Sequence, residues 1–239
     1  MALSLQDEWT IVAGGLVAHA DEILVRGEVD IVLRLVGPTL DDEARRRCRT
    51  LLEDQDALEQ QFAALAPPPR EFHEELLHRC WRVALADGTG SDVEEMVHDR
   101  IAAHLGVDAE QVSEWRRQWT TLAASHADVT VALAAMFVNL DGRLDFHEAV
   151  HFEDLLGRSP VPLGRRIELA ALLNDPPSVD DVVERLKELS LDERLAALGE
   201  LVPLVRESPR PDREREEFLD VSSRVGVSGA AAERLLASG

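Results

Sequence analysis

The sequence predicts an all-α protein built as tandem, duplicated helical bundles, each made of helical hairpins. Three observations predict it. Val, Leu and Ala dominate, interleaved with Glu and Arg, and there is no Tyr and only six Phe; such a composition favours helices over strands. Apolar residues recur at helical spacing in most segments, and no segment alternates as a strand would. Finally, an eight-residue pattern recurs: Asp, usually Gly, five further residues, then Glu. Its clear copies run from Asp87 to Glu94 and from Asp141 to Glu148. A worn copy runs from Asp21 to Glu28, with Glu22 in place of Gly, and a more worn one from Glu207 to Glu214. Glu28 and Glu94 stand 66 residues apart, as do Glu148 and Glu214; Glu28 and Glu148 stand 120 apart, as do Glu94 and Glu214. A fixed interval of this kind reads as an internal duplication.

The helices follow in order. Leu51, Leu58, Phe62 and Leu65 form one stripe, and Phe72, Leu76, Cys80 and Val83 the next. Val93, Val97, Ile101 and Leu105 repeat every four residues, and Val112, Trp115, Trp119 and Leu122 continue the series. Proline cannot continue helical hydrogen bonding. Pro67-Pro68-Pro69 therefore ends one helix, Asp175-Pro176-Pro177 breaks the second half, and Pro209 with Pro211 marks its last loop. A shift of 120 residues sets Leu24 on Leu144, Leu35 on Leu155, Gly37 on Gly157, Leu52 on Leu172, and Leu105-Gly106-Val107 on Val225-Gly226-Val227. The expected division is a first domain over 1–126 and a more degenerate second over 127–239, with the boundary near His126. In each hairpin an apolar helix ends at Asp-Gly, Gly takes the left-handed turn, and the second helix begins just before Glu.

Composition narrows the function. Forty-six acidic residues face 25 Lys and Arg, a formal charge of −21. That field repels nucleic acid and anionic lipid and attracts cations or basic partners. Cys48 and Cys80 have neither disulfide-framework nor metal-site spacing and read as thiols in a reducing compartment. The start, MALSLQDEW, lacks the basic and long apolar regions of a signal peptide. The most apolar stretch, Val129 to Val138, is too short to span a bilayer as a helix. The expectation is a soluble cytoplasmic protein without an integral membrane segment.

The repeated carboxylates admit two chemistries. Ser91-Asp92-Val93-Glu94 and Asp145-Phe146-His147-Glu148 have the form of capping boxes, in which Glu serves free amides at a helix start. Alternatively, Asp and Glu at the ends of one tight loop converge on a hard divalent cation, calcium or magnesium, with carbonyls, waters or a second loop completing its shell. On this reading the metal-site residues are Asp87 with Glu94, Asp141 with Glu148, and Asp21 with Glu28. Asp141 to Glu148 imitates the back half of an EF-hand loop, but the front half fails, because its first ligand would fall on Phe137, or on Val83 at the other clear copy. Glu-x-x-His occurs at Glu75/His78, Glu95/His98 and Glu148/His151, a motif that holds di-iron centres when paired on facing helices; here solvated helix faces are the simpler reading. Trp9, Trp81, Trp115 and Trp119 read as packing residues. Ser125-His126-Ala127-Asp128 is too crowded for a triad, and no nucleophile motif, phosphate-binding glycine loop or zinc spacing is present.

The pattern resembles the TerB-like, tellurite-resistance family of helical domains. Its hallmark is a helix ending Ala-x-Ala-Asp-Gly, a turn, a Glu opening the next helix, and a Leu-Gly-hydrophobic close. Ala84-Leu85-Ala86-Asp87-Gly88, Glu94 and Leu105-Gly106-Val107 carry it. Asn139-Leu140-Asp141-Gly142 with Glu148, and Ala18-His19-Ala20-Asp21 with Glu28, carry parts of it. The last unit keeps Glu214 and Val225-Gly226-Val227, with Val205-Arg206-Glu207-Ser208 in place of Ala-Asp-Gly. The resemblance implies two tandem domains, acidic residues that bind divalent cations, and a role in stress-response assemblies, often near the membrane. The resulting expectation is a non-catalytic, acidic interaction or sensor protein, responsive to a divalent cation, with partner proteins and a peripheral membrane complex in scope. The alternatives are a metal-independent protein–protein scaffold and a di-iron carboxylate enzyme.

Overall fold

A computed structural model describes residues 3–21, 26–36, 40–86, 88, 90–140, 144–207 and 211–238. No β-strand occurs among them, as the composition and periodicity predict. The chain divides into two compact units, Met1–Thr121 and Leu122–Gly239.

In the first unit the axis is helix α1 (Leu5–Ala18), against which α2 (Arg26–Leu35), α3 (Asp42–Leu52), α4 (Gln55–Ala64), α5 (His73–Ala84) and α6 (Asp92–Leu105) all pack. Every residue of α1 from Trp9 to Ala18 is buried. Trp9, Ile11, Val12, Leu16 and Val17 supply the apolar area, each worth roughly 1.5–3 kcal/mol on burial. Gly14 and Gly15 let the neighbours approach. A Cβ on Gly15 would lie 2.8 Å from Leu52 Cδ2 and 2.9 Å from Leu58 Cδ1, so any side chain there overpacks the core. Trp9 donates its indole N–H to the Ala66 carbonyl at 2.8 Å, which ties α1 to the chain just before the triple proline.

The stripe Leu51 to Leu65 belongs to two helices rather than one. Helix α3 stops at Leu52, and Asp54 caps α4 by accepting from the Ala57 amide. Aspartate at a cap outcompetes helix continuation because its short side chain reaches the free amides. The α6 stripe is also shifted. Glu94, His98, Ile101, Ala102 and Leu105 form the buried face, whereas Val93 is exposed.

Helix α7 (Ala109–Val138) runs through the division between the units. Val129 to Val138 is thus part of a 30-residue helix, not a short segment. By length and composition α7 meets the requirement for crossing a bilayer, but 61% of its most apolar window is buried inside the protein, as in a core helix.

In the second unit α7 residues 131–138 occupy the core with Phe152, Val182, Val183, Leu198, Leu201, Phe218 and Val221. The other helices are α8 (Phe146–Gly157), α9 (Leu163–Ala170), α10 (Val179–Lys187), α11 (Leu191–Glu200), α12 (Val202–Glu207), α13 (Pro211–Arg224) and α14 (Gly229–Ser238). Arg194 on α11 closes helix ends. Its guanidinium donates to the carbonyls of Leu186 and Lys187 at the end of α10, of Leu189 just beyond it, and of Val225 after α13. Carbonyls at a helix end lack intrahelical donors; of these four, Leu186 O also accepts from the Leu189 N–H at 3.1 Å.

The two units repeat the same local devices 120 residues apart. Gly106 and Gly226 are both left-handed, with φ of 71° and 80°. Val107 N–H returns to Ala102 O at 3.0 Å, and Val227 N–H to Ser222 O at 2.9 Å. Both are Schellman closures, which need glycine because a Cβ clashes at positive φ. Asp108 and Ser228 then receive amides opening the next helix. At the end of the axial helix, His19 Nε2 donates to Leu52 O in the first unit, and Asn139 Nδ2 to Leu173 O in the second.

Candidate functional site at the acidic turns

Four first-turn glutamates share one feature. Glu28, Glu94, Glu148 and Glu214 are 4%, 6%, 8% and 9% exposed. Each lies in the first turn of a helix, α2, α6, α8 and α13 respectively. Burying a carboxylate is costly unless it is hydrogen-bonded, and a helix start offers both free amides and a favourable dipole.

Both clear copies use those amides in the same way. Ser91 N–H donates to Glu94 Oε2 at 2.6 Å, and Glu94 N–H to Ser91 Oγ at 3.2 Å. Asp145 N–H donates to Glu148 Oε2 at 2.8 Å, and Glu148 N–H to Asp145 Oδ1 at 2.9 Å. Both are complete capping boxes, as the Ser-x-x-Glu and Asp-x-x-Glu spacings predict. Two further boxes, Ser4 with Asp7 and Ser190 with Glu193, carry legible sequence signals that lie outside the repeat.

The aspartates Asp87 and Asp141 lie outside the described residues. Asp21 is exposed just beyond the end of α1. Carboxylate oxygens suit a hard cation. Among the described residues no three of His, Cys, Asp and Glu stand together as ligands, and the two undescribed aspartates are the partners the cation reading needs.

The left-handed glycine of the second hairpin is Gly90, with φ 75°, rather than the expected Gly88. Helix α5 is followed by Leu85 near φ −87°, and Ala86 N–H returns to Val83 O, so no left-handed residue is needed there. Gly90 lies flat against Trp81. A Cβ at Gly90 would sit 2.8 Å from Trp81 Cη2 and 3.0 Å from Cζ2.

In the second unit an arginine and a histidine contact the residues that flank the last two turns. Arg213 Nη2 donates to Leu140 O at 2.8 Å, and His151 Nε2 meets Glu207 Oε2 at 2.9 Å. This contact holds the Glu207 carboxyl below its usual range.

The Glu-x-x-His residues go elsewhere. Glu75 receives Arg79 at 2.8 Å, and His78 stacks on Trp119 with centroids 4.9 Å apart. Glu95 receives Arg116 at 2.6 Å. His98 is fully buried, donates Nε2–H to Leu77 O at 2.9 Å, and turns Nδ1 to the Arg116 guanidinium at 3.3 Å. Both ring nitrogens are engaged, and burial pushes the His98 pKa down to about 4. The Ser125–Asp128 residues also diverge, with His126 on Glu193 O and Asp128 on Arg165.

Arg116 is the buried cation that the sequence reading does not single out. It is buried, holds Glu95 and Asp99, and lies over the Trp81 ring with its Cζ 5.6 Å from the centroid. Its signal was present. Val112, Arg116 and Trp119 follow helical spacing on the buried face of α7, and a cation on such a face requires acidic partners.

Together these features define a class: an all-helical protein of hairpins whose second helices open on buried glutamates, two of them, Glu94 and Glu148, capping backbone amides. Residues 9–117 match the model of the family described as Tellurite resistance protein TerB. The matched residues lie within the first unit, which is similar to the TerB family over that span, and the match stops short of the second unit. No curated protein and no solved structure matches the chain.

Proposed function

We propose that this chain is a non-catalytic, acidic interaction or sensor module, with its second unit a degenerate TerB-like domain. We place it in a cytoplasmic stress-response assembly, with partner proteins at its surface and peripheral contact with a membrane in scope. The observation that carries this reading is the burial of one glutamate at the start of the second helix of every hairpin. Such carboxylates make the turn shape depend on local charge. A divalent cation, calcium or magnesium, held by Glu94 with Asp87, Glu148 with Asp141, and Glu28 with Asp21, would supply charge neutralisation at those turns. The turns would then reset the angle between hairpin helices, and partners would read that angle.

The capping boxes of Glu94 and Glu148 favour a second reading, a metal-independent scaffold in which the glutamates only fix helix starts. The two readings part on one experiment. Metal content and thermal stability are measured on the full chain with and without chelator, at fixed ionic strength. Bound calcium or magnesium with a chelator-sensitive melting temperature supports the sensor. No metal, and no shift in millimolar calcium or magnesium, leaves the scaffold. Stoichiometric iron would revive the di-iron alternative against both.

A further inference from the structure

We propose that Trp81 is a conformational relay that couples the acidic turn, read at Gly90, to Arg116 and Thr120 on α7. The inference rests on packing alone and is independent of what moves the turn.

The indole of Trp81 touches three elements. On the turn side it lies against Gly90, where even a single added methyl would collide at 2.8 Å. On the α6 side the His98 ring meets it edge-on, with centroids 5.4 Å apart. On the α7 side the Arg116 guanidinium lies over its face, and its own N–H donates to Thr120 Oγ1 at 2.9 Å. Trp81 is 5% exposed, and a close-packed interior transmits displacement rather than absorbing it.

Arg116 is where that displacement matters. It holds Glu95 at 2.6 Å and also Asp99, and both carboxylates are half-exposed at 49%. A guanidinium over an aromatic face is held by that ring. With the indole in place, Arg116 stays buried and neutralises two acids on the outer face of α6. If the turn pushes the indole aside, the guanidinium loses its aromatic platform and α7 loses the contact that fixes it at Arg116 and Thr120. Gly90 is required at this contact because it alone offers both a positive φ and no Cβ.

Residue-resolved hydrogen exchange on the full chain tests the relay in both directions, because coupling between two sites is reciprocal. From the turn side, Gly90→Ala is expected to speed exchange of the α7 amides 116–120 by about fivefold or more. Gly88→Ala, which meets nothing within 4 Å, is expected to leave them unchanged. From the helix side, Thr120→Val removes the acceptor for the indole and is expected to speed exchange of the Ser91 amide by a similar factor. Each effect should vanish in a Trp81→Phe background. Thr120→Val keeps the test decisive if Gly90→Ala fails to fold. The relay is overturned if Thr120→Val leaves Ser91 unchanged, if Gly88→Ala loosens α7 as much as Gly90→Ala does, or if either effect persists undiminished with Phe at position 81.

Discussion

Arg116 and His98 meet at 3.3 Å inside the first unit, and the arginine decides the histidine's tautomer. A guanidinium can only donate, so His98 Nδ1 accepts, and the ring proton sits on Nε2, where it is donated to Leu77 O at 2.9 Å. The imidazole is neutral by construction, wedged between a cation and a carbonyl in a fully buried place.

This arrangement makes the first unit acid-sensitive. His98 titrates near 4 when folded, chiefly because burial disfavours the charged ring, against 6.5 for the ordinary side chain. The unfolded chain therefore binds the proton more readily between those values. Its contribution to stability is complete above pH 6.5 and is lost as pH falls toward 4, a change of roughly 3 kcal/mol. His78, also held down by burial, acts in the same direction. Urea unfolding of the wild type and of His98→Gln across pH 7 to 4 checks this. The variant should be less stable at pH 7 and show a flatter pH dependence. Parallel curves would contradict the assignment.

The Schellman glycines should respond alike in both units. Gly106→Ala and Gly226→Ala each place a Cβ at positive φ and are expected to cost about 1–2 kcal/mol. Gly157 ends α8 with open space around it and no positive φ. Gly157→Ala should be neutral or stabilise by up to ~1 kcal/mol. Denaturant midpoints of the three variants read the difference in sign.

Arg194 carries a different load. Its truncation to Ala withdraws the donor from four carbonyls at and just beyond the ends of α10 and α13. Water can replace part of what is lost, so a cost of about 2 kcal/mol is expected. Far-UV circular dichroism during urea unfolding measures it. A variant as stable as the wild type would mean that those helix ends are served by solvent already.

The fold class was legible because helix periodicity and helix punctuation agreed. Pro67-Pro68-Pro69 and Pro176-Pro177 follow helix ends where expected, Pro211 opens α13, and Pro209 lies outside the described residues; Gly106 and Gly226 close helices as their shared sequence neighbourhood suggests. Errors arose where two signals competed. Leu51 to Leu65 keeps one apolar period across two helices, and only Asp54 betrays the break. On α6 the apolar Val93 stripe misled, because capping forces Glu94 inward and His98 follows one turn later. Gly88 was favoured over Gly90 because the Asp-Gly pair is the stronger local turn signal, whereas contact with Trp81 is a tertiary fact. The length of α7 was missed because a polar first half hides its continuity with the apolar second. At the candidate site, both capping boxes followed from four-residue spacings. The Arg116 cluster joins α5, α6 and α7 and is not encoded at any one spacing.

The central claim, that buried turn glutamates make this protein responsive to a divalent cation, is tested most directly by thermal unfolding. The wild type and the Glu94→Gln/Glu148→Gln variant are melted in millimolar calcium or magnesium and in chelator, at one ionic strength. The cation is expected to raise the wild-type midpoint by a few degrees, roughly 1–2 kcal/mol for a chain of this size, and to leave the variant unmoved beyond its lost caps. An equal shift in both proteins, or none in the wild type, would contradict the claim and leave the glutamates as caps alone.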